Sequence, residues 1–443
     1  MRATRTSGDD DERLLSRRGH LKAITAAGAA GLAGCLGGGG DGSGGSGGDQ
    51  QGGTIKFTHL GTFGGEAEAF IPEFEKRAGN VTVKHQQTPA QSASSHDYYV
   101  NQFISQSSDF DVGQMDVIWP AEFWQNGWIA AVKDPDGHTD KMLETPVEAA
   151  TIDDTLVGMP LYTDANALYY RKDVLDKYDM EPPKTYTELV EQAQTIMEQE
   201  DKDWNGYIWQ GGTNEGLTIM WLNWLWGMGG TVRHDGVLKV NTEKGVRALQ
   251  HAVDLIHEHN VTPKSVPSSD TDGNRQTFQN GNTLFMRNWP YAISVMNEDG
   301  SPVKDKFDVA PLPTHEDHPD ASNSCLGGWN VFVNEFSDNK GPARKFASFM
   351  ASLDVQKRMA VEFSRLPVRK EVYEDEEAQE KFPQLALYKD ILPRTKARPA
   401  SPKYTTFSQV LYTNLNAALV QSKPPKRALD DAQKKIDSEV NSA

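Results

Sequence analysis

The sequence predicts an α/β protein assembled as two lobes, and three observations carry that expectation. At 443 residues the chain exceeds what one typical core accommodates. Strand and helix patterns alternate between Thr54 and Trp119, and a second run of amphipathic helices starts after Gly158-Met159-Pro160.

Thr54 to His59 alternates as a short strand. Glu66 to Ala78 follows as a helix closed by Gly79-Asn80, then Val81 to Gln86 as a strand, Asp97 to Gln106 as a helix and Met115 to Trp119 as a strand. This βαβαβ order implies a parallel sheet, because parallel neighbours need a crossover between them. Ligands of open α/β sheets lie beyond the carboxyl ends of the strands, so residues just after these strands are the first candidates for a site. In the second block, Thr185 and Glu188 have capping-box spacing and open a helix to Glu198, with Leu189, Val190, Ala193, Ile196 and Met197 on one face. Val246, Leu249, Val253 and Ile256 make a similar stripe on a helix running to His259, and Phe346, Phe349, Met350 and Leu353 another. These stripes are core positions, not site positions.

Ten Trp, thirteen Tyr and seventeen Phe supply aromatic surface for sizeable cores. A hydrophobic fraction of 37% and a mean hydropathy of −0.60 describe a soluble body. The formal charge of −17 argues against nucleic acid or anionic lipid as a partner, since phosphate contacts need clustered Lys and Arg. An acidic exterior also suits a halophilic setting. Only Cys35 and Cys325 occur, so cysteine-based metal sites are excluded and Cys325 reads as a lone buried or loop thiol.

The N-terminal residues have a separate logic. Ser16-Arg17-Arg18-Gly19-His20-Leu21-Lys22 resembles a twin-arginine export signal, with His20 where that pattern usually carries Phe. A weakly apolar stretch from Ala23 to Ala33 follows, and Leu32-Ala33-Gly34-Cys35 looks like a lipobox, in which the chain is cut before Cys35 and its thiol is lipidated. Removing residues 1–34, with six Lys+Arg and four Asp+Glu, leaves a mature charge near −19. Residues 35–53, dominated by Gly, Ser and Asp, read as a flexible tether with an end-to-end distance of roughly 25 Å. Together they place the protein on the outer face of the cytoplasmic membrane, lipid-anchored after folded-state export.

No GxxxxGK[ST] phosphate loop is present, so any ATP hydrolysis belongs to another subunit. Asp201-Lys202-Asp203-Trp204-Asn205-Gly206 matches the first half of a calcium loop, but Gly212 stands where the bidentate Glu belongs. His257-Glu258-His259 and His315-Glu316-Asp317-His318 lack zinc-enzyme spacing. No metal and no cofactor is expected.

Five stretches then match one family in order and spacing: GMPLYTDANALYYRKDVLDKY (158–178), FQNGNTLFMRNWPYA (278–292), VAPLP (309–313), LGGWNVFVNEFSDNK (326–340) and ARPASPKY (397–404). They resemble the trehalose/maltose-binding proteins that serve ABC importers. The resemblance implies a type II periplasmic-binding-protein-like fold with discontinuous lobes joined by crossing segments. By that analogy residues 54–161 and 312–366 form the first lobe, and 162–311 and 367–443 the second, with a hinge near Thr163 and Ala310. It further implies a monomer that closes on a small sugar and docks on an ABC permease with its ATPase subunits.

Carried over residue by residue, the resemblance implies Glu66, Asp116, Tyr162, Asp164, Trp289, Gly328, Trp329 and Arg398 around the sugar. The chemistry is coherent, since a sugar presents a ring of hydroxyls and two apolar C–H faces. Carboxylates accept the hydroxyls, a hydrogen bond to a charged group contributing roughly 1.5 to 3 kcal/mol, and flat aromatics cover the faces. One departure leaves the ligand's identity open: relatives with a known trehalose or maltose preference carry an arginine pair where this chain has Ser95-His96-Asp97-Tyr98-Tyr99. His96, Tyr98 or Trp209 are the candidates for replacing those contacts.

A lipid-anchored glycosidase is the rival class, because two carboxylates about 5 to 9 Å apart beside tryptophans also describe such an enzyme. No Ser-His-Asp or Cys-His context accompanies Glu66 and Asp116, and the resemblance implies binding without turnover. A binding protein for a non-sugar solute and a sensor or adhesion subunit are the other readings.

Overall fold

The computed structural model describes residues 52–200, 203–321 and 323–442. The signal-like segment, Cys35, most of the tether, and Asp201-Lys202 of the calcium-like loop lie outside the described residues.

The βαβαβ unit forms as its pattern predicts. Strand β1 (Gly53–Leu60) pairs in parallel with β2 (Val81–Thr88) and with β3 (Val112–Asp116), the crossovers being helices α1 (Gly64–Ala78) and α2 (Ser92–Ile104). Gly79 ends α1 in the left-handed conformation at φ +68° and returns its N–H to the Glu75 carbonyl at 2.9 Å, the ordinary glycine stop. Strand β3 ends at Asp116, so Trp119 lies in the turn beyond it rather than inside the strand.

Two sheets divide the chain. The first is seven-stranded, and its longest member, Ser324–Asn334, runs antiparallel between β3 and the strand Met159–Ala165. The second has four strands in the order Phe307–Ala310, Ala167–Arg171, Thr283–Asn288, Asn205–Ile208. Each sheet has its own apolar core. Phe57, Phe63, Phe74, Tyr99, Phe103 and Phe332 belong to the first, and Tyr186, Leu189, Trp209, Trp221, Trp224 and Phe285 to the second. The helix Glu215–Gly227 is buried on all sides from Gly216 onward and belongs to the second core, which accounts for its high Trp and Leu content.

The chain passes from one core to the other along the paired strands. Tyr162 packs in the first core and Ala165 in the second, while Cys325 packs in the second and Trp329 in the first. Leu312 and Asn323 stay with the second body: Leu312 is in its core, and Asn323 donates to the carbonyls of Leu312 and Pro313. The return crossing therefore falls at 324–328 rather than at 312. Ala310 is no hinge, since it pairs with Leu168 inside the second sheet.

Thr185 caps the helix Tyr186–Gln199 with the full reciprocal box: the Glu188 N–H donates to Thr185 Oγ1 at 3.1 Å and the Thr185 N–H to Glu188 Oε2 at 3.3 Å. Leu353 departs from its predicted stripe. The helix carrying Phe346, Phe349 and Met350 stops at Met350, and Leu353 starts the next helix with 40% of its surface exposed. Cys325 is free and fully buried. Among the described residues no helix is long and apolar enough to cross a membrane.

Replacing Thr185 by Ala removes one hydrogen bond of the box and leaves the Glu188 N–H without its acceptor. A loss of about 1 kcal/mol is expected, read as a lower urea midpoint at unchanged slope.

Candidate functional site

The register of Ser324–Asn334 assembles the site. Trp329 stands opposite Asp116 on one side and opposite Tyr162 on the other. Residues directly opposite in a ladder project to one face with Cβ atoms about 5 Å apart, so one rung sets a carboxylate, an indole and a phenol side by side. On the neighbouring rungs Gly328 faces Thr163 and Gly327 faces Asp164. Both glycines are enforced by close approach: a Cβ on Gly327 would lie 2.7 Å from Trp289 Cζ3, and one on Gly328, at φ +136°, 2.7 Å from the Tyr162 carbonyl oxygen.

Asp116, Tyr162, Asp164, Trp289, Gly328, Trp329 and Arg398 line one cleft between the two bodies, of about 850 Å³ counting its open mouth. Their supports differ. Trp329 meets Trp119 edge to face at 5.4 Å, and Tyr162 stacks on Phe63 at 6.1 Å. Trp289 is half-buried, with Gly327 against its ring edge and the Arg287 guanidinium 4.4 Å from its ring centroid.

Glu66 is the exception among the eight residues. It is 3% exposed and lies beneath the wall, accepting from Arg365 Nε at 2.6 Å. The residue that reaches the cleft there is Arg365, which also donates to the Thr62 carbonyl at 2.8 Å and covers Tyr162 at 4.9 Å and Tyr291 at 5.6 Å. Arg398 bridges the bodies. Its Nη2 donates to Asp116 at 2.7 Å and its Nη1 to Glu215 at 3.0 Å, and Glu215 also accepts from Tyr404 at 2.7 Å and from Ser408. Gln91 adds a second bridge, donating to Asp270 at 2.7 Å, and Thr405 a third, donating to Glu122 at 3.3 Å.

Asp164 stands out among the carboxylates of the cleft by a buried oxygen that nothing donates to. Burial raises it from its ordinary 3.8 to about 7, with Arg365 opposing and Asp116 reinforcing the rise. Its Oδ1 is buried without a hydrogen-bond partner. Burial also raises Glu215, against the pull of Arg398.

The proposed substitutes for the arginine pair lie elsewhere. His96 is buried against Phe123 and Trp119, its Nε2 2.9 Å from Glu122. Trp209 donates to Thr262 at 3.2 Å within the second core, and Tyr98 packs against the first core. None of the three lines the cleft, whose wall at that point is Ala90, Gln91, Ser92 and Ala93. Arg365 and Glu215 were missed by sequence reasoning. Glu215 had a legible signal, being the only charged residue of a mostly apolar helix opened by the Asn214 cap. Arg365 follows a helix in a turn without periodicity and had none.

Comparison with known proteins agrees with this architecture. The model of the bacterial extracellular solute-binding protein family matches residues 61–357. A probable ABC transporter-binding protein of Deinococcus radiodurans is 34% identical over 363 residues, covering 80% of this chain and 85% of that protein. The maltose-bound structure of T. maritima MalE3 superposes with a TM-score of 0.83 at 35% identity, over 87% of this chain and 99% of that one. An ABC transporter solute-binding protein from Thermotoga lettingae, bound with alpha-D-tagatose, shares the fold at a TM-score of 0.77 and 23% identity, over 87% of this chain and 99% of that one. A two-lobed α/β body whose crossing strands carry the cleft residues, together with these matches, establishes that the chain belongs to the extracellular solute-binding protein family of ABC transporters.

Proposed function

We propose that the protein captures a small neutral sugar, trehalose, maltose or a related di- or monosaccharide, and delivers it to a membrane permease. The observation that carries this reading is the pairing of aromatic faces with an unused acceptor: Trp329, Tyr162 and Trp289 line the same cleft as Asp164, whose buried Oδ1 has no partner within the protein. Aromatic planes suit the C–H faces of a sugar, and a buried lone acceptor suits its hydroxyl. The maltose held by the MalE3 relative supports the same class.

The charge arrangement favours a neutral solute. Both guanidinium groups at the lining are already engaged, Arg365 by Glu66 and Arg398 by Asp116 and Glu215. Asp116, Asp164, Glu215 and Asp272 outnumber them there. A phosphorylated or acidic sugar would meet an excess of carboxylate. The bridges from Arg398, Gln91 and Thr405 are contacts that closing lobes make and opening lobes break, so a sugar that touches both lobes stabilises the closed form by its greater affinity for it. Glu66 acts through Arg365 in this reading, without touching the sugar.

Calorimetric titration of the purified protein in high salt with trehalose, maltose, sucrose, glucose and a polyamine tests the proposal. Saturable, stoichiometric heat with one sugar is expected. Silence across the sugars from folded protein overturns it.

Asp164 makes the binding pH-dependent. A sugar hydroxyl donates best to the ionised carboxylate, so affinity should rise as pH increases through about 7 and level off above it. The contribution of Asp164 to the stability of the unliganded protein has the opposite slope. Asp164 binds a proton more tightly folded than unfolded, so between its ordinary 3.8 and about 7 the stability it contributes falls as pH rises. Asp164→Asn should flatten the affinity profile and weaken sugar binding by about ten- to a hundredfold.

We also infer that the protein is exported through the Arg17-Arg18 signal and anchored by lipid on Cys35. Cys35→Ser is expected to move it from the membrane fraction to the medium. Retention of this variant on the membrane counts against a lipid anchor.

A further inference from the structure

Arg287 is the most unusual buried group outside the cleft lining. It lies on the strand Thr283–Asn288, opposite Leu168 in the middle of the second sheet, and is 0% exposed. Among the described residues no carboxylate forms an ion pair with it, and its Nε and Nη2 are buried without hydrogen-bond partners. Burial lowers its pKa to about 10. An unpaired guanidinium in a core is costly, and an apolar side chain of similar length would serve the fold as well or better.

What Arg287 does touch belongs to the cleft. Its guanidinium lies 4.4 Å from the centroid of the Trp289 indole. Its Nη1 donates to Gln210 Oε1 at 2.6 Å, and the Gln210 amide donates in turn to Thr271 Oγ1 at 2.7 Å. Trp289, Gln210 and Thr271 all line the cleft. The Gln210 carboxamide is thus held at both ends, which fixes its flip, and the indole is pinned between a cation and the Gly327 backbone.

From this geometry we propose that Arg287 is a positioning residue for ligand recognition: it never touches the solute, but sets the plane of Trp289 and the orientation of Gln210 that the solute meets. The assignment rests on the sugar reading of the cleft and adds to it the group that preorganises one wall. An indole that rocked out of plane would lose its cation, and the Gln210 hydrogen bond keeps that cation from following it.

The test uses the purified protein with the sugar that binds best. Arg287→Met should lower affinity by about tenfold or more while leaving the melting temperature unchanged or raised, and Arg287→Lys should recover part of the affinity by restoring the cation without the fork. In a Trp289→Leu background the further change Arg287→Met should cost much less than it does alone, because its effect passes largely through the indole. A lower melting temperature with unchanged affinity would make Arg287 a merely structural residue and overturn the proposal, as would full additivity of the two changes. If Arg287→Met does not fold, the same cycle with Arg287→Lys decides. Absence of sugar binding by the unmodified protein would instead sink the sugar reading itself.

Discussion

Everything in the cleft depends on one strand having neighbours on both sides. Ser324–Asn334 begins in the second core, ends in the first, and hydrogen-bonds to β3 along one edge and to Met159–Ala165 along the other. A slip of one residue in either ladder would turn Trp329 away from Asp116 or Tyr162 and put it on the opposite face of the sheet. The register is therefore a functional constraint as much as a folding one. The glycine pair at 327 and 328 lets the backbone run under Trp289 and against the Tyr162 carbonyl at the point where the strand leaves one body for the other.

Charge is managed around that strand by pairing nearly everything. Arg365 enters the cleft wall only with Glu66 beneath it, and Arg398 only between Asp116 and Glu215. Buried ions are tolerable when geometry is good and remaining donors are satisfied. Asp164 is left out of this scheme and answers by holding its proton near neutrality. A carboxylate oxygen left unsatisfied by the protein is the place where a solute has most to contribute.

Local structure was largely legible in the sequence. The βαβαβ order, the Gly79 stop and the Thr185 capping box all depend on neighbours in the chain, and all formed. Seven of the eight expected site residues meet in the cleft; six of them lie inside stretches that match a family, and Asp116 ends a strand that the pattern predicted. What failed was nonlocal. Leu353 fits a helical stripe by spacing, but its helix had already ended at Met350. Ala310 looked like a hinge by position, and sheet pairing holds it in place. His96 was a polar candidate on the right helix, yet it packs inward against Phe123. Arg365 reaches the cleft from a turn near the third passage between cores, where Leu366 packs in the second and Val368 in the first, a placement that no periodicity announces.

The buried thiol has a practical consequence. From Thr54 onward Cys325 is the only cysteine, and burial pushes it up to about 12, so it offers no thiolate to a reagent at neutral pH. The native globular part is therefore silent toward thiol-directed dyes. A single cysteine introduced by Gln91→Cys, at a position whose side chain reaches across to Asp270 on the facing lobe, would be the sole point of attachment. A fluorophore there would sit where the lobes meet and part, and its emission would convert the concentration of a solute into light. The same buried cysteine, outside the cleft lining, makes the scaffold ready for use as an optical sensor.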